Sequence, residues 1–128
     1  MNYLLDTHIL LWSAMESEKL SKAAREIISD SDSIKWISVV SLWEVAIKRS
    51  QSKQDFRFEV GPLRAGYLAN GYEELSIEAR HVLNLRAMPM LHADPFDRLL
   101  IAQAGTEGMV LLTADRKLAK YGDMVHVV

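Results

Sequence analysis

The stretch Pro95-Phe96-Asp97-Arg98-Leu99-Leu100-Ile101-Ala102-Gln103-Ala104-Gly105-Thr106-Glu107-Gly108-Met109-Val110-Leu111-Leu112-Thr113 decides the fold. Its first part predicts a helix over 95–107. Asp94 and Pro95 make the usual pairing of N-cap and first helical residue, and Gly108 stops the helix. Its second part, Met109–Thr113, is an unbroken apolar run of strand length. Such a strand belongs inside a sheet covered on both faces.

The same alternation runs outward in both directions. Tyr3–Leu5 reads as a short buried strand and Thr7–Met15 as a helix. Ser21 caps an amphipathic helix to Ile28, and Ile34–Ser38 is a strand feeding directly into a helix from Val39 to about Ser50. Gln51–Arg57 is polar and loop-like. Glu59–Ala69 reads as a helix against the signals of Gly61, Pro62 and Gly66. Asn70-Gly71 marks a turn before the strand Glu73–Leu75, and Ser76 is expected to cap a helix from Ile77 to about Arg86. Arg116–Tyr121 is a short helix ended by Gly122, and Met124–Val128 a last strand. The expectation is one α/β domain over 1–128, three-layered, with a central parallel sheet of about five short strands and helices on both faces.

Composition sets the outer limits. A chain of 128 residues, 49% hydrophobic and 25% charged, can bury a real core. No apolar run approaches the roughly 20 residues that span a bilayer, so no membrane role is expected. The absence of cysteine removes disulfides and thiolate metal sites, and fits a reducing cytoplasm. A net charge of −2 gives no global nucleic-acid signature. Two basic runs stand out, Lys48, Arg49, Lys53 and Arg57, then Arg116, Lys117 and Lys120. Each fits a solvated helix face or a track for backbone phosphates.

Four acids lie where charge is least expected. Asp6 ends the first strand, Glu44 interrupts the apolar stretch Val39–Ile47, Asp97 shares its stripe with Leu100, Ile101 and Ala104, and Asp115 follows the run Met109–Thr113. Asp6 and Asp115 also fit plain helix caps, and Glu44 fits a capping box with Ser41, although Ser38 is the better cap. Asp94 reads chiefly as a cap. No capping role fits Asp97. Two carboxylates about 4 Å apart repel by about 4 kcal/mol at an effective dielectric of 20, so a converging cluster must hold protons or a cation. Oxygen donors select Mg²⁺ or Mn²⁺ over zinc. Such ions retain waters, and an activated water can attack a phosphodiester.

These segments resemble the PIN-domain nucleases, and within them the VapC-type toxins of bacterial toxin–antitoxin pairs. The resemblance rests on Tyr3-Leu4-Leu5-Asp6-Thr7-His8, on Ser38 through Lys48 around Trp43-Glu44, on His92 through Ala104 as the most specific match, on Leu112-Thr113-Ala114-Asp115, and on Tyr121-Gly122. It covers nearly the whole chain. It departs at Ser52-Lys53-Gln54-Asp55, where relatives commonly carry Gly-Lys-Leu.

The resemblance implies a Mg²⁺- or Mn²⁺-dependent endoribonuclease with metal-binding acids at Asp6, Glu44, Asp97 and Asp115. It also implies a homodimer and inhibition by a cognate antitoxin protein. Asp6 and Asp97 would hold the metal, while Glu44 and Asp115 complete the cage and orient water. Thr113 matches a hydroxyl often found near the site. Arg98 and Arg116, each beside a proposed ligand, are candidates for phosphate contact or for plain solvent exposure. His92 reads as a structural loop residue, with substrate binding as its minor role. The alternative reading is a PIN-like RNA- or protein-binding module that has lost catalysis.

Other phosphate chemistries fit poorly. A receiver-type phosphoacceptor wants adjacent acids after the first strand, and a phosphatase of the Asp-x-Asp-Thr type fails because residue 8 is His. Neither a phosphate-binding loop nor a dinucleotide fingerprint is present, and no two histidines have His-x-x-x-His spacing.

Overall fold

The structure is a computed structural model, and it describes residues 1–51 and 55–128. Lys53 of the first basic run and residues 52–54 of the departing loop lie outside the described residues. In chain order the elements are β1 (Asn2–Leu5), α1 (Thr7–Ala14), α2 (Lys22–Ser29), β2 (Ile34–Ser38), α3 (Val39–Ser50), α4 (Val60–Ala69), β3 (Glu73–Leu75), α5 (Ala79–Ala87), α6 (Pro95–Glu107), β4 (Val110–Thr113), a 3₁₀ helix (Arg116–Tyr121) and β5 (Val125–Val127). Among the described residues, no helix is long and apolar enough to cross a membrane.

All five strands are parallel, in the order β3-β2-β1-β4-β5. The alternation of side chains across each strand gives the sheet two cores. Tyr3, Leu5, Ile37 and Leu112 face one way, onto α1, α2 and α4, with Ile9, Leu10, Ala24, Leu63 and Tyr67 packed against them. Leu4 and Leu111 face the other way, onto Leu100, Ile101 and Ala104 of α6 and Leu118 of the 3₁₀ helix. The apolar run of β4 is therefore apolar because both of its faces are covered.

Two helix ends follow directly from sequence. Ser38 caps α3 by accepting from the Val40 amide at 3.0 Å, and Gly108 closes α6 with φ of 68°, a left-handed conformation that costs glycine little. One expectation is corrected. Ser76 does not cap the following helix. Glu78 takes that place, because the His81 ring accepts from the Glu78 amide at 3.0 Å and completes a capping box. The Ser76 carbonyl instead accepts from Gln103 across the helix pair at 3.3 Å.

The order of strands locates the crevice. From β1 the chain winds outward to β3, then crosses back to lay β4 on the other side of β1. Helices leaving β1 and β4 diverge to opposite faces there, which opens a gap at the carboxyl ends of those two strands. Leu5 pairs with Leu112 in register, so Asp6 and Thr113 emerge side by side at that gap.

Candidate active site

Asp6 leaves β1 only 4% exposed. Its Oδ2 accepts from the Thr113 hydroxyl, and its Oδ1 accepts from the His8 amide at 3.3 Å as the cap of α1. Capping and site membership therefore coexist in one carboxylate. Burial pushes the Asp6 carboxyl above its usual range, with the Thr113 hydrogen bond opposing the shift.

Glu44, one turn and a half into α3, is 2% exposed. It does not form a box with Ser41, whose hydroxyl accepts from Thr7 at 2.9 Å. Its Oε2 accepts from Lys48, while its Oε1 is buried with no partner among the described residues. A buried, unpaired carboxylate oxygen is costly unless something positive reaches it.

Asp97 lies in the first turn of α6, which Asp94 caps by accepting from the Phe96 and Asp97 amides at 2.8 and 3.2 Å. Its carboxyl is pushed up to about 8, first by burial and then by repulsion from Asp6, Asp94, Glu44 and Asp115. That set of repelling neighbours brings all four expected acids into one electrostatic cluster, with Asp94 as a fifth member. His92 contributes as well. Its Nε2 lies 2.9 Å from Asp97 Oδ2 and 4.0 Å from Asp115 Oδ2.

Asp115 is the most open member, with its side chain 37% exposed. It caps the 3₁₀ helix by accepting from the Lys117 amide at 3.0 Å, and its own amide donates to Thr113 at 3.1 Å. Thr113 thus ties Asp6 to Asp115. Donor atoms of His92, Asp97 and Asp115 lie within 4.8 Å of one another, a spacing suited to a shared ion.

The basic candidates divide. Arg116 is exposed, and Arg49 reaches exposed Glu59 at 3.7 Å. Arg98 is half-buried, with its Nε enclosed and without a partner among the described residues. Lys48, expected as a substrate contact, turns inward to Glu44 instead. The spacing of Glu44 and Lys48, four residues apart with the acid first, is a local signal that anticipates this pair. His92 beside Asp97 has no such signal, because an irregular loop brings it there.

The roles of Asp94 and Asp97 can be separated. Asn caps a helix about as well as Asp, so Asp94→Asn is expected to keep the melting temperature within about 2 °C and to retain most of the nuclease activity that the resemblance implies. A complete loss of activity in a folded Asp94→Asn protein would place Asp94 among the essential acids.

Comparison with known proteins bears on this geometry. Residues 3–124 match the PIN domain family. Ribonuclease VapC22 of Mycobacterium tuberculosis is 29% identical over 119 residues, covering 92% of this chain and 90% of that protein. VapBC2 from Rickettsia felis, solved with a DNA fragment from its promoter, superposes with a TM-score of 0.72 at 18% identity, over 100% of this chain and 98% of that one. A toxin-antitoxin complex from Klebsiella pneumoniae gives 0.66 at 18% identity, over 98% and 96%. The two structural likenesses concern the fold, while the family match spans every acid of the cluster. The chain belongs to the PIN-domain family.

Proposed function

We propose that this protein is a cytoplasmic Mg²⁺- or Mn²⁺-dependent endoribonuclease, the toxin of a toxin–antitoxin pair, with Asp6, Glu44, Asp97 and Asp115 as its metal-binding and catalytic acids. One observation carries the reading. Glu44 Oε1 is buried and, among the described residues, unpaired, beside acids whose repulsion adds to burial in raising the Asp97 carboxyl. The donors are oxygens with one imidazole beside them, which fits a hard divalent ion. When bound, that ion supplies an activated water and offsets the charge developing on the phosphate.

The chain's own residues do the rest. Thr113 fixes the rotamer of Asp6 and, through its contact with the Asp115 amide, the start of the 3₁₀ helix. His92 orients Asp97 and can hold a proton between the two groups. Arg116, exposed next to Asp115, would contact a phosphate of the RNA. The name of VapC22 supports ribonuclease chemistry, and the solved toxin-antitoxin complexes support a protein partner. An inhibiting antitoxin would place a basic side chain among the acids, where negative charge is concentrated. A homodimer completes the proposal.

Purified protein with Mg²⁺ or Mn²⁺ should cut structured cellular RNAs at few sites. EDTA should stop the cutting, and raising salt should weaken RNA binding steeply. Robust cutting by Asp6→Ala protein would place the chemistry elsewhere. Metal binding without cutting of any RNA would favour the catalytically inactive module.

A further inference from the structure

The acidic cleft already contains a cation of its own. Lys48 lies one turn beyond Glu44 on α3, and its ammonium donates to Glu44 Oε2 and stands 4.0 Å from Asp94 Oδ2. It also sits 4.9 Å from the centre of the Phe56 ring and 5.6 Å from that of Phe96. Two carboxylates and two aromatic faces enclose it, and its side chain is only 22% exposed. An exposed pair at the same spacing would be mobile and worth little. This one is held.

Glu44 is divided by that contact. One oxygen is taken by Lys48, and the other is buried and has no partner among the described residues. Hydrolytic sites with two metal ions hold them about 3.5–4 Å apart, near enough for one carboxylate to serve both. Glu44 has the form of such a bridge, with an ammonium on one of its arms. A different pair of acids, Asp97 and Asp115, gathers around His92. The cleft thus has one half filled by a fixed positive charge and one half furnished with the Asp97, Asp115 and His92 donors.

We infer that Lys48 stands in place of a second metal ion, so that the site takes a single divalent ion. The inference rests on the metal-dependent reading of the site. A dication brought beside the Lys48 ammonium would meet twice the repulsion felt by a single charge, and the Glu44 oxygen on that side, Oε2, is already taken. Lys48 therefore holds the Glu44–Asp94 side at constant charge, whatever the metal concentration.

The test counts Mn²⁺ bound to the intact protein by titration calorimetry and by loss of the free-ion electron paramagnetic resonance signal. Ions belonging to the site are those lost when Asp97→Asn and Glu44→Gln are added to each background. Wild type and Lys48→Arg should each bind one ion there, and Lys48→Met and Lys48→Gln should each bind two. Two site ions in wild type, or one in folded Lys48→Met or Lys48→Gln protein, would overturn the assignment. A wild type that binds no Mn²⁺ would instead overturn the metal-dependent reading beneath it.

Discussion

Asp97→Asn protein is expected to lose RNA cleavage by roughly a thousandfold while becoming more stable than wild type in the absence of metal. Both effects have one cause. In the folded chain the Asp97 carboxyl is pushed up to about 8 from an ordinary value of 3.8. An acid raised in this way destabilises the fold wherever the unfolded chain has already lost its proton. The cost begins near pH 4, grows as pH rises, and is complete above about 8. Metal-free wild type should therefore be less stable at pH 9 than at pH 5, by on the order of 3–5 kcal/mol. Burial of Asp6 acts in the same direction. Asn carries no charge at either pH, so most of this slope should vanish in the variant.

Mg²⁺ or Mn²⁺ should restore stability to wild type at high pH, because binding the folded state alone shifts the equilibrium. The variant should respond weakly. Urea unfolding at pH 5 and pH 9, with chelator and with Mn²⁺, measures all of these quantities together. Identical metal responses of wild type and Asp97→Asn would remove Asp97 from the site.

The second large effect is expected at Gln103, in the middle of α6 and fully buried. Its Oε1 accepts from the Ser38 hydroxyl at 2.5 Å, and its Nε2 donates to the Ser76 carbonyl at 3.3 Å and approaches the His81 ring at the same distance. His81 is itself buried, held by Glu107 at 2.7 Å and by the Glu78 amide. Gln103→Leu matches the volume but leaves a hydroxyl and a carbonyl short of partners, while the His81 ring nitrogen keeps the Glu78 amide. Stranded polar groups of this kind cost about 3 kcal/mol in total, or about 10 °C in melting temperature for a domain of this size. Ser38 also starts the helix that carries Glu44, so metal affinity should fall with stability. Thermal unfolding of Gln103→Leu beside Gln103→Glu checks the effect, and a shift below 2 °C in the leucine variant would show that the network contributes little.

Gln103 also marks the limit of what the sequence discloses. The helices and strands were legible because their signals are local, an apolar period, a capping residue, a glycine stop. The direct passage from Ser38 into α3 and the end of α6 at Gly108 follow from such signals. The acids were legible because charge beside core segments is unusual at Asp6, Glu44 and Asp97. What was not legible joins distant segments. Ser38 and Gln103 are 65 positions apart, and no periodicity links them. The Glu78 cap was hidden for a related reason, since Ser76 is the better local candidate and its carbonyl is engaged by another helix. Lys48, read as part of a solvated face or a phosphate track, turns inward instead, as its spacing from Glu44 favours.

The bond between Thr113 and Asp6 spans 107 positions of the chain. During synthesis β1 and β2 emerge early and can pair at once, but Asp6 has no Thr113 beside it until β4 has left the ribosome. At about 5–20 residues per second, that interval is on the order of 5–20 s. A nascent chain therefore carries an incomplete cleft for most of its time on the ribosome. A PIN-domain chain assembled in this way has no complete acid cluster until it is nearly finished.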